Sequence, residues 1–389
     1  MQAATLTALI HGAMAAGQAQ QAAPPEPGAE PRIPLRYGQF DFFPRINTGV
    51  MYDDNIYIQE RDKTADVIWN ISPGLRAATG DYDKKEASFF QVDYAPTFLL
   101  FWKESRNNTV DHEAKLDFDW RPSKFLVALH QSVADTSGSV VDVGNRVDRQ
   151  VYLTSLLVQY EISPKTSVSV EGTQAINHYE DVQSFNEWTV AGWLDYLLTP
   201  KVRVGAGVTG GWVNNDQSVN QTYQQALGRV AYSLTAKTDL HASAGVEVRQ
   251  FDDGRDDRFN GVFTLGGTYK PREQTEITVE AHRRTLSSAV LVDQSYTATG
   301  LNGTLRQQFL AKYAASLTTG YDHVEYFATR QGVNSDRSDD FFNVRVGVEM
   351  GVTDRLDVGC FYQYRQNISN TSAFEFDNHQ FGLQAAYRF

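Results

Sequence analysis

The chain has 389 residues, a formal net charge of -12 and one cysteine, Cys360. The acidic balance argues against a nucleic-acid footprint, and a lone cysteine forbids an internal disulfide or a cysteine metal cluster. No run of eighteen apolar residues occurs, which excludes a transmembrane helix but not a barrel, whose alternating strands average to a polar-looking sequence.

Residues 1–19 are small and weakly apolar, with Gly17 and Ala19 placed three and one before a possible cut. That resembles the end of a secretory signal peptide, although the usual Lys or Arg at the start is missing. Residues 20–42 carry Pro24, Pro25, Pro27, Pro31 and Pro34 and read as an extended periplasmic linker. The remainder, 43–389, reads as one unit.

Along that unit, strands of ten to fifteen residues are followed alternately by a tight turn and a longer charged loop. Turns are marked at 121–123, 163–166, 199–201, 235–238, 270–273 and 353–355, with less typical ones near 79–85 and 310–312. Pro164, Pro200, Ala236 and Pro271 stand 36, 36 and 35 residues apart, one out-and-back hairpin each. Pro presets the turn dihedral there, and Ser, Thr or Asp bonds the local backbone. Long connections fall at 53–63, 103–108, 134–148, 180–184, 214–220, 252–257, 287–293, 328–338 and 368–373. Eight short turns and nine long loops make seventeen connections, hence eighteen strands with both ends on the short-turn side. This is an all-β, up-and-down antiparallel barrel that spans a membrane, with short periplasmic turns and longer extracellular loops.

The strands alternate cleanly. Over 342–352 the apolar Phe342, Val344, Val346, Val348, Met350 and Val352 oppose Asn343, Arg345, Gly347, Glu349 and Gly351. The same dyad runs through 110–120, 240–249 and 356–365. A sandwich would also alternate, but Greek-key jumps with mixed loop lengths would accompany it. The polar face therefore points inward, and at eighteen strands the interior is too wide for side chains to fill. Water is expected there. Trp102, Trp120, Tyr160, Trp188, Tyr196, Trp212, Tyr232, Tyr269 and Phe389 lie near strand ends, where aromatic girdles belong.

The final stretch has Phe381, Leu383, Ala385, Tyr387 and Phe389 at every second position. Its edge cannot stay open in lipid, so it must pair with an earlier strand and close the barrel. A strand of this kind resembles the closing strand of bacterial outer-membrane barrels. The resemblance implies that Tyr387 and Phe389 form the signal read by the barrel-assembly machinery.

At the other end, Tyr52, Asp53, Asp54, Asn55, Ile56 and Tyr57, then Asp66, Val67 and Ile68, then Ser72, Pro73, Gly74 and Leu75 form a second pattern. It resembles the start of the putative β-barrel porin type 2 family over about 49–76. That resemblance implies a Gram-negative outer-membrane barrel, in contact with lipid and lipopolysaccharide, and often linked to exopolysaccharide export. Polysaccharide-export proteins and a glycan polymer are the partners it implies. It carries no catalytic residues and no cofactor.

Candidate pore-lining groups are Asp93, Asp111, Glu113, Asp117, Glu171, Asp195, Glu247, Glu280, Asp322 and Glu349 against Lys115, Arg203, Arg229, Arg249, Arg284, Arg306, Arg345 and Arg365. Such rings set ion or solute preference, while the same residues paired across strands simply brace the wall. Arg345 with Glu349 and Glu247 with Arg249 are the pairs of first interest. Inward Trp193, Phe251, Phe341 and Phe361 either stack on sugar rings or anchor an infolded loop. His130 and Ser132 share a face but lie too far apart for a nucleophile–base bond, so an enzyme is not expected. The acidic run 252–257 lacks the spacing of a calcium loop, and Gly205, Ala206 and Gly207 sit within a strand, where no phosphate cradle forms. Loop 134–148 is the best candidate to fold into the lumen. The reading is a channel, either for polysaccharide secretion or for diffusion of small solutes, with a barrel enzyme or adhesin third.

Overall fold

The computed structural model describes residues 34–310 and 312–389. The signal-like segment and residues 20–33 of the Pro-rich stretch lie outside the described residues. A short strand, Leu35–Tyr37, folds back on the first barrel strand through Tyr37↔Phe40.

The barrel strands are β1 (Phe40–Asp53), β2 (Asp66–Gly80), β3 (Phe89–Phe101), β4 (Thr109–Trp120), β5 (Phe125–Thr136) and β6 (Arg149–Ser163). Next come β7 (Thr166–Tyr179), β8 (Phe185–Thr199), β9 (Val202–Asn215), β10 (Gln221–Thr235), β11 (Thr238–Phe251) and β12 (Arg258–Arg272). The last six are β13 (Thr275–Ser287), β14 (Gln294–Phe309), β15 (Tyr313–Ala328), β16 (Ser338–Gly351), β17 (Leu356–Ser369) and β18 (Phe376–Arg388). Each pairs antiparallel with its neighbours in sequence, and β18 pairs with β1 from Arg45↔Arg388 to Asp53↔Gln380. The result is a closed eighteen-stranded antiparallel barrel, as the turn count predicts.

Three of the short turns are each held by one hydroxyl. Ser163 Oγ accepts the amides of Lys165 and Thr166, Thr199 Oγ1 those of Lys201 and Val202, and Thr353 Oγ1 those of Arg355 and Leu356. The side chain holds the reversal in the conformation that the tight hairpin needs.

Strand faces follow the dyad. On β16, Phe342, Val346 and Val348 are exposed outward while Arg345 is buried inward. On β11, Leu240 and Val246 face out, and Glu247 and Arg249 are buried inside. Outward apolar side chains meet lipid, the only solvent that favours such a girth of exposed Leu, Val and Phe. One ladder is broken within its span. β2 and β3 pair over Ile68↔Phe101 to Ile71↔Phe98 and resume at Leu75↔Tyr94. The gap holds Pro73 and Pro96, neither of which has an N–H to donate, and a Ser72–Thr97 hydroxyl bond of 2.9 Å bridges it.

The lumen differs from the expected water-filled bore. Its extracellular half is occupied by loops that turn inward. Within 137–148, Ser139–Val140 pairs with Asn145–Arg146 as a small hairpin. Gly144, at φ +71°, makes its turn, and a side chain there would press on the Phe374 ring. Val141 joins Ile58, Phe341 and Phe376 in one apolar cluster, and Val140 and Val147 join Tyr179 and Ala289 in another. The reason is physical: apolar residues in a loop above a membrane have only the barrel mouth in which to leave water.

Candidate channel lumen

Three sets of residues define the inner surface. The uppermost is a latch around Asp142, at the tip of the inward hairpin. Its carboxylate accepts bonds from Ser288 Oγ (3.0 Å), the Ala289 amide (2.6 Å) and Tyr326 Oη (2.8 Å). The Arg337 guanidinium donates to the Asp142 carbonyl at 2.9 Å and pairs with Asp339 at 2.5 Å. Its plane lies between the rings of Tyr326, at 4.3 Å, and Phe374, at 3.4 Å. Arg337 belongs to the loop before β16, and the bond to Asp339 and the nearby acidic groups outweigh burial to hold it charged. On the far side, Arg365 donates to Ser139 Oγ at 3.3 Å and to Asn378 Oδ1 at 3.0 Å. The hairpin is thus tied to β14, β15, β16, β17 and β18 or their loops, across the mouth from its own strands.

A second set clasps the barrel closure. Asp53 Oδ1 accepts from the Asn55 amide (2.8 Å) and Asn378 Nδ2 (2.6 Å), and Asp53 Oδ2 accepts from Gln380 (2.7 Å). Asp54 Oδ1 takes the His379 amide at 2.7 Å. The Asp-Asp-Asn of the opening pattern therefore stitches the first strand to the last.

The third set lines a cavity of about 380 Å³ beneath the hairpin. Arg229 and Asp195 form a bidentate pair (2.8 and 2.5 Å), and the guanidinium stacks on Trp193 at 4.0 Å. Gly205 and Gly207 on β9 leave the room these groups occupy, since a Cβ at either would collide with Asp195 or Trp193. Arg249 bonds Glu247 (2.9 Å) and Gln221 (3.0 Å) and lies over Tyr223 at 4.6 Å. Tyr223 in turn donates to Glu187 at 2.5 Å, and Ser155 donates to Glu171 at 2.7 Å.

The candidate pore-lining residues all lie on the inward-facing parity of their strands, but most are braced. Asp93 pairs with Arg45 at 2.6 Å, Lys115 with Glu113 at 2.7 Å, and Asp322 lies 3.0 Å from His282. Asp117 accepts from Gln91 and meets His130 Nδ1 at 2.6 Å. Asp111 holds Ser137 at the root of the hairpin, and Arg203 donates to Ser167. Arg345 donates to Gln363 at 2.9 Å and lies 3.6 Å over Phe361, while Gln384 reaches Glu349 at 3.4 Å. Arg284 lines the cavity, Glu280 is half-buried, and Arg306 is exposed toward the periplasmic end. Among the inward aromatics, Trp193 and Phe361 stack on arginines and Phe341 anchors the hairpin, while Phe251 is buried near the rim. In the acidic loop, Asp253 accepts the amides of Arg255 and Gln331, and those bonds hold its carboxyl below the usual range. It ties two loops together.

Asp142, Arg337, Tyr326, Ser288 and Glu187 were not singled out from the sequence. The one signal was Val140 and Val141 inside a supposed loop, since two adjacent apolar residues there call for a buried site.

The family described as putative beta-barrel porin 2 matches residues 179–389. Among solved structures, the chain is similar to Pseudomonas aeruginosa OpdO, at 14 % identity over 90 % of this chain and 97 % of that one, with a TM-score of 0.46. It is similar to Acinetobacter baumannii OccAB3 at 10 % identity over 90 % and 100 %, TM-score 0.45. The copper transporter OprC aligns at 12 % identity over 88 % and 63 %, TM-score 0.42. No curated protein matches.

Proposed function

The chain belongs to the putative beta-barrel porin 2 family, whose match spans more than half of it, and from that premise we propose a loop-gated conduit across the outer membrane. Fold and family point to a channel rather than an enzyme. The observation that carries gating is the Asp142 latch, which ties the inward hairpin to the opposite wall through several buried bonds. A plug held this way has two discrete arrangements, latched and released, which is what a gate requires.

For cargo, an exopolysaccharide on its way out fits a conduit that stays shut until engaged. Periplasmic export proteins then supply the polymer, and the barrel-assembly machinery reads Tyr387 and Phe389 during insertion. A second reading, diffusion of small solutes, is favoured by the cavity of about 380 Å³, the size of a small-molecule site.

Planar-bilayer recording of the full barrel tests the gate. Replacing 138–147 by a short Gly-Ser linker is expected to convert a mostly closed channel into one of steady, larger conductance. Equal conductance before and after refutes gating by this hairpin. Block of the opened channel by added oligosaccharides supports the glycan cargo, and free passage of small ions without block favours the diffusion reading.

A further inference from the structure

The barrel wall is incompletely zipped at one seam. β12 and β13 pair only from Phe263↔Arg283 downward to Arg272↔Thr275. Above that, residues 258–262 keep their partners in β11, as Arg249↔Arg258 and Val246↔Gly261 show. Residues 284–287 keep theirs in β14, up to Ser287↔Ser295. The wall is therefore continuous on either side and parted along the seam.

The parting has a cause. The tip of the β13–β14 hairpin leaves the wall and folds over the lumen. Gln183 Nε2 bonds the Ser288 carbonyl (2.9 Å), Asp293 Oδ1 accepts the Val219 amide (3.0 Å), and Gln221 donates to Ser295 (3.0 Å). Side chains bridge the gap where main-chain bonds are missing. Asn260 Nδ2 on β12 donates to Thr285 Oγ1 on β13 at 3.3 Å, and above the inward tip the Arg258 guanidinium reaches β15, 3.9 Å over Phe327.

The cavity lining gives the second observation. A compartment confined to the lumen touches every other residue of each strand, as at Glu171, Thr173 and Ala175 or Glu187, Thr189 and Ala191. At the seam it touches consecutive residues instead: 262, 263 and 264 on β12, and 283 through 287 on β13. Both faces of these strands border the same space, so the cavity reaches through the wall. Tyr269 stands in the periplasmic aromatic row, and Phe263 lies six residues above it. At ~3.3 Å rise and a tilt near ~40° that is roughly 15 Å up an apolar band of about 25 Å. The seam thus opens toward the outer half of the membrane.

Its chemistry is mixed. Val262, Phe263 and Leu286 supply apolar surface, and Phe259 is 74 % exposed at the rim. Arg283 holds a position of lipid-facing parity, bonded to Thr299 Oγ1 at 2.5 Å, where an arginine facing only hydrocarbon is unfavourable. Outside the seam, Arg255, Arg258 and Arg330 converge with Phe251 and Phe327 on a surface pocket of about 670 Å³ that Asp256 and Asp257 also border. A bare sugar gains nothing from lipid access, and a plain alkane has no use for arginines. We propose that the β12–β13 seam is a lateral passage between the luminal cavity and the outer leaflet for a single-chain amphiphile with an anionic head. This goes beyond the axial conduit and adds a side exit beneath the latched mouth.

The test uses the full barrel in nanodiscs and dodecyl phosphate carrying a diazirine near its tail end. After illumination, adducts mapped by mass spectrometry are expected on Val262, Phe263, Leu286 and the luminal Trp193, and excess dodecyl phosphate is expected to remove them. Adducts spread over outward residues such as Val170, Val208 and Leu301, with none on Trp193, overturn the proposal. A second sample carries Asn260→Cys and Thr285→Cys on a Cys360→Ser background, joined by a bifunctional thiol reagent. Loss of the Trp193 adduct on joining supports the passage, and its persistence overturns it. Conductance recorded on the same preparations judges the axial reading separately, because labelling does not depend on it.

Discussion

Asp142→Ala is the perturbation that isolates the latch, because it removes the carboxylate and leaves the hairpin backbone in place. Three donors lose their acceptor: Ser288 Oγ, the Ala289 amide and Tyr326 Oη. Taking a net ~1–1.5 kcal/mol for each bond gives about 3–4.5 kcal/mol against the latched state. At 1.4 kcal/mol per tenfold, the closed-to-open ratio is expected to fall by roughly two to three orders of magnitude. Arg337 keeps Asp339, Arg365 keeps its bond to Ser139, and Val140 and Val141 keep their burial, so the hairpin loosens without the barrel unfolding. Single-channel recordings read this directly as open probability, and the heat-shifted gel mobility of the folded barrel serves as the control. An unchanged open probability in a folded Asp142→Ala barrel would falsify the latch.

Arg229→Ala leaves Asp195, 1 % exposed, with an unpaired charge. A loss of about 3–5 kcal/mol is expected in urea unfolding, and the double variant with Asp195→Ala is expected to recover part of it. Asn378→Ala removes bonds to Asp53 and Asp54 and one acceptor of Arg365. A drop of roughly 2–4 kcal/mol follows from charge-assisted bonds of this kind, seen as a lower temperature for the folded-to-unfolded gel shift. Tyr82, in the periplasmic turn, is pushed up to about 12 by burial and then by its 2.5 Å bond to Asp41. Its contribution to stability is present below the free tyrosine value of about 10 and is lost as pH rises from there through about 12. Tyr82→Phe is therefore expected to flatten the alkaline decline in that window, and an identical decline in both proteins counts against the assignment.

Strand number, closure and face were legible because each rests on local chemistry. A hydroxyl at Ser163 or Thr199 makes its own turn, and a period of two at Phe342 to Val352 needs no partner to be read. The inward parity of Asp195, Arg229, Glu247 and Arg249 followed from the same alternation. Which charge meets which did not, because Arg229 reaches Asp195 across β9, and only the paired glycines Gly205 and Gly207 hinted at the crowding between. Glu349, four residues along, is within electrostatic reach of Arg345, but the alternation does not reveal that the guanidinium also stacks on Phe361 and bonds Gln363 on the neighbouring strand. The latch was hidden more deeply. Asp142 meets Ser288, Tyr326 and Arg337 only after the sheet has curled round, and no sequence period connects positions so far apart. Tertiary curvature also bends the β13–β14 tip inward, whereas alternation alone extends every strand along the wall.

The clasp of Asp53 on Asn378 joins residues 325 positions apart. Until β18 has emerged, β1 presents a bare edge that any other strand, including one from a neighbouring nascent chain, is able to capture. Because ring closure is the most distant contact in the molecule, it comes late and depends on the protection of that edge in the meantime. This architecture therefore favours any means of keeping the leading edge covered until the final strand arrives.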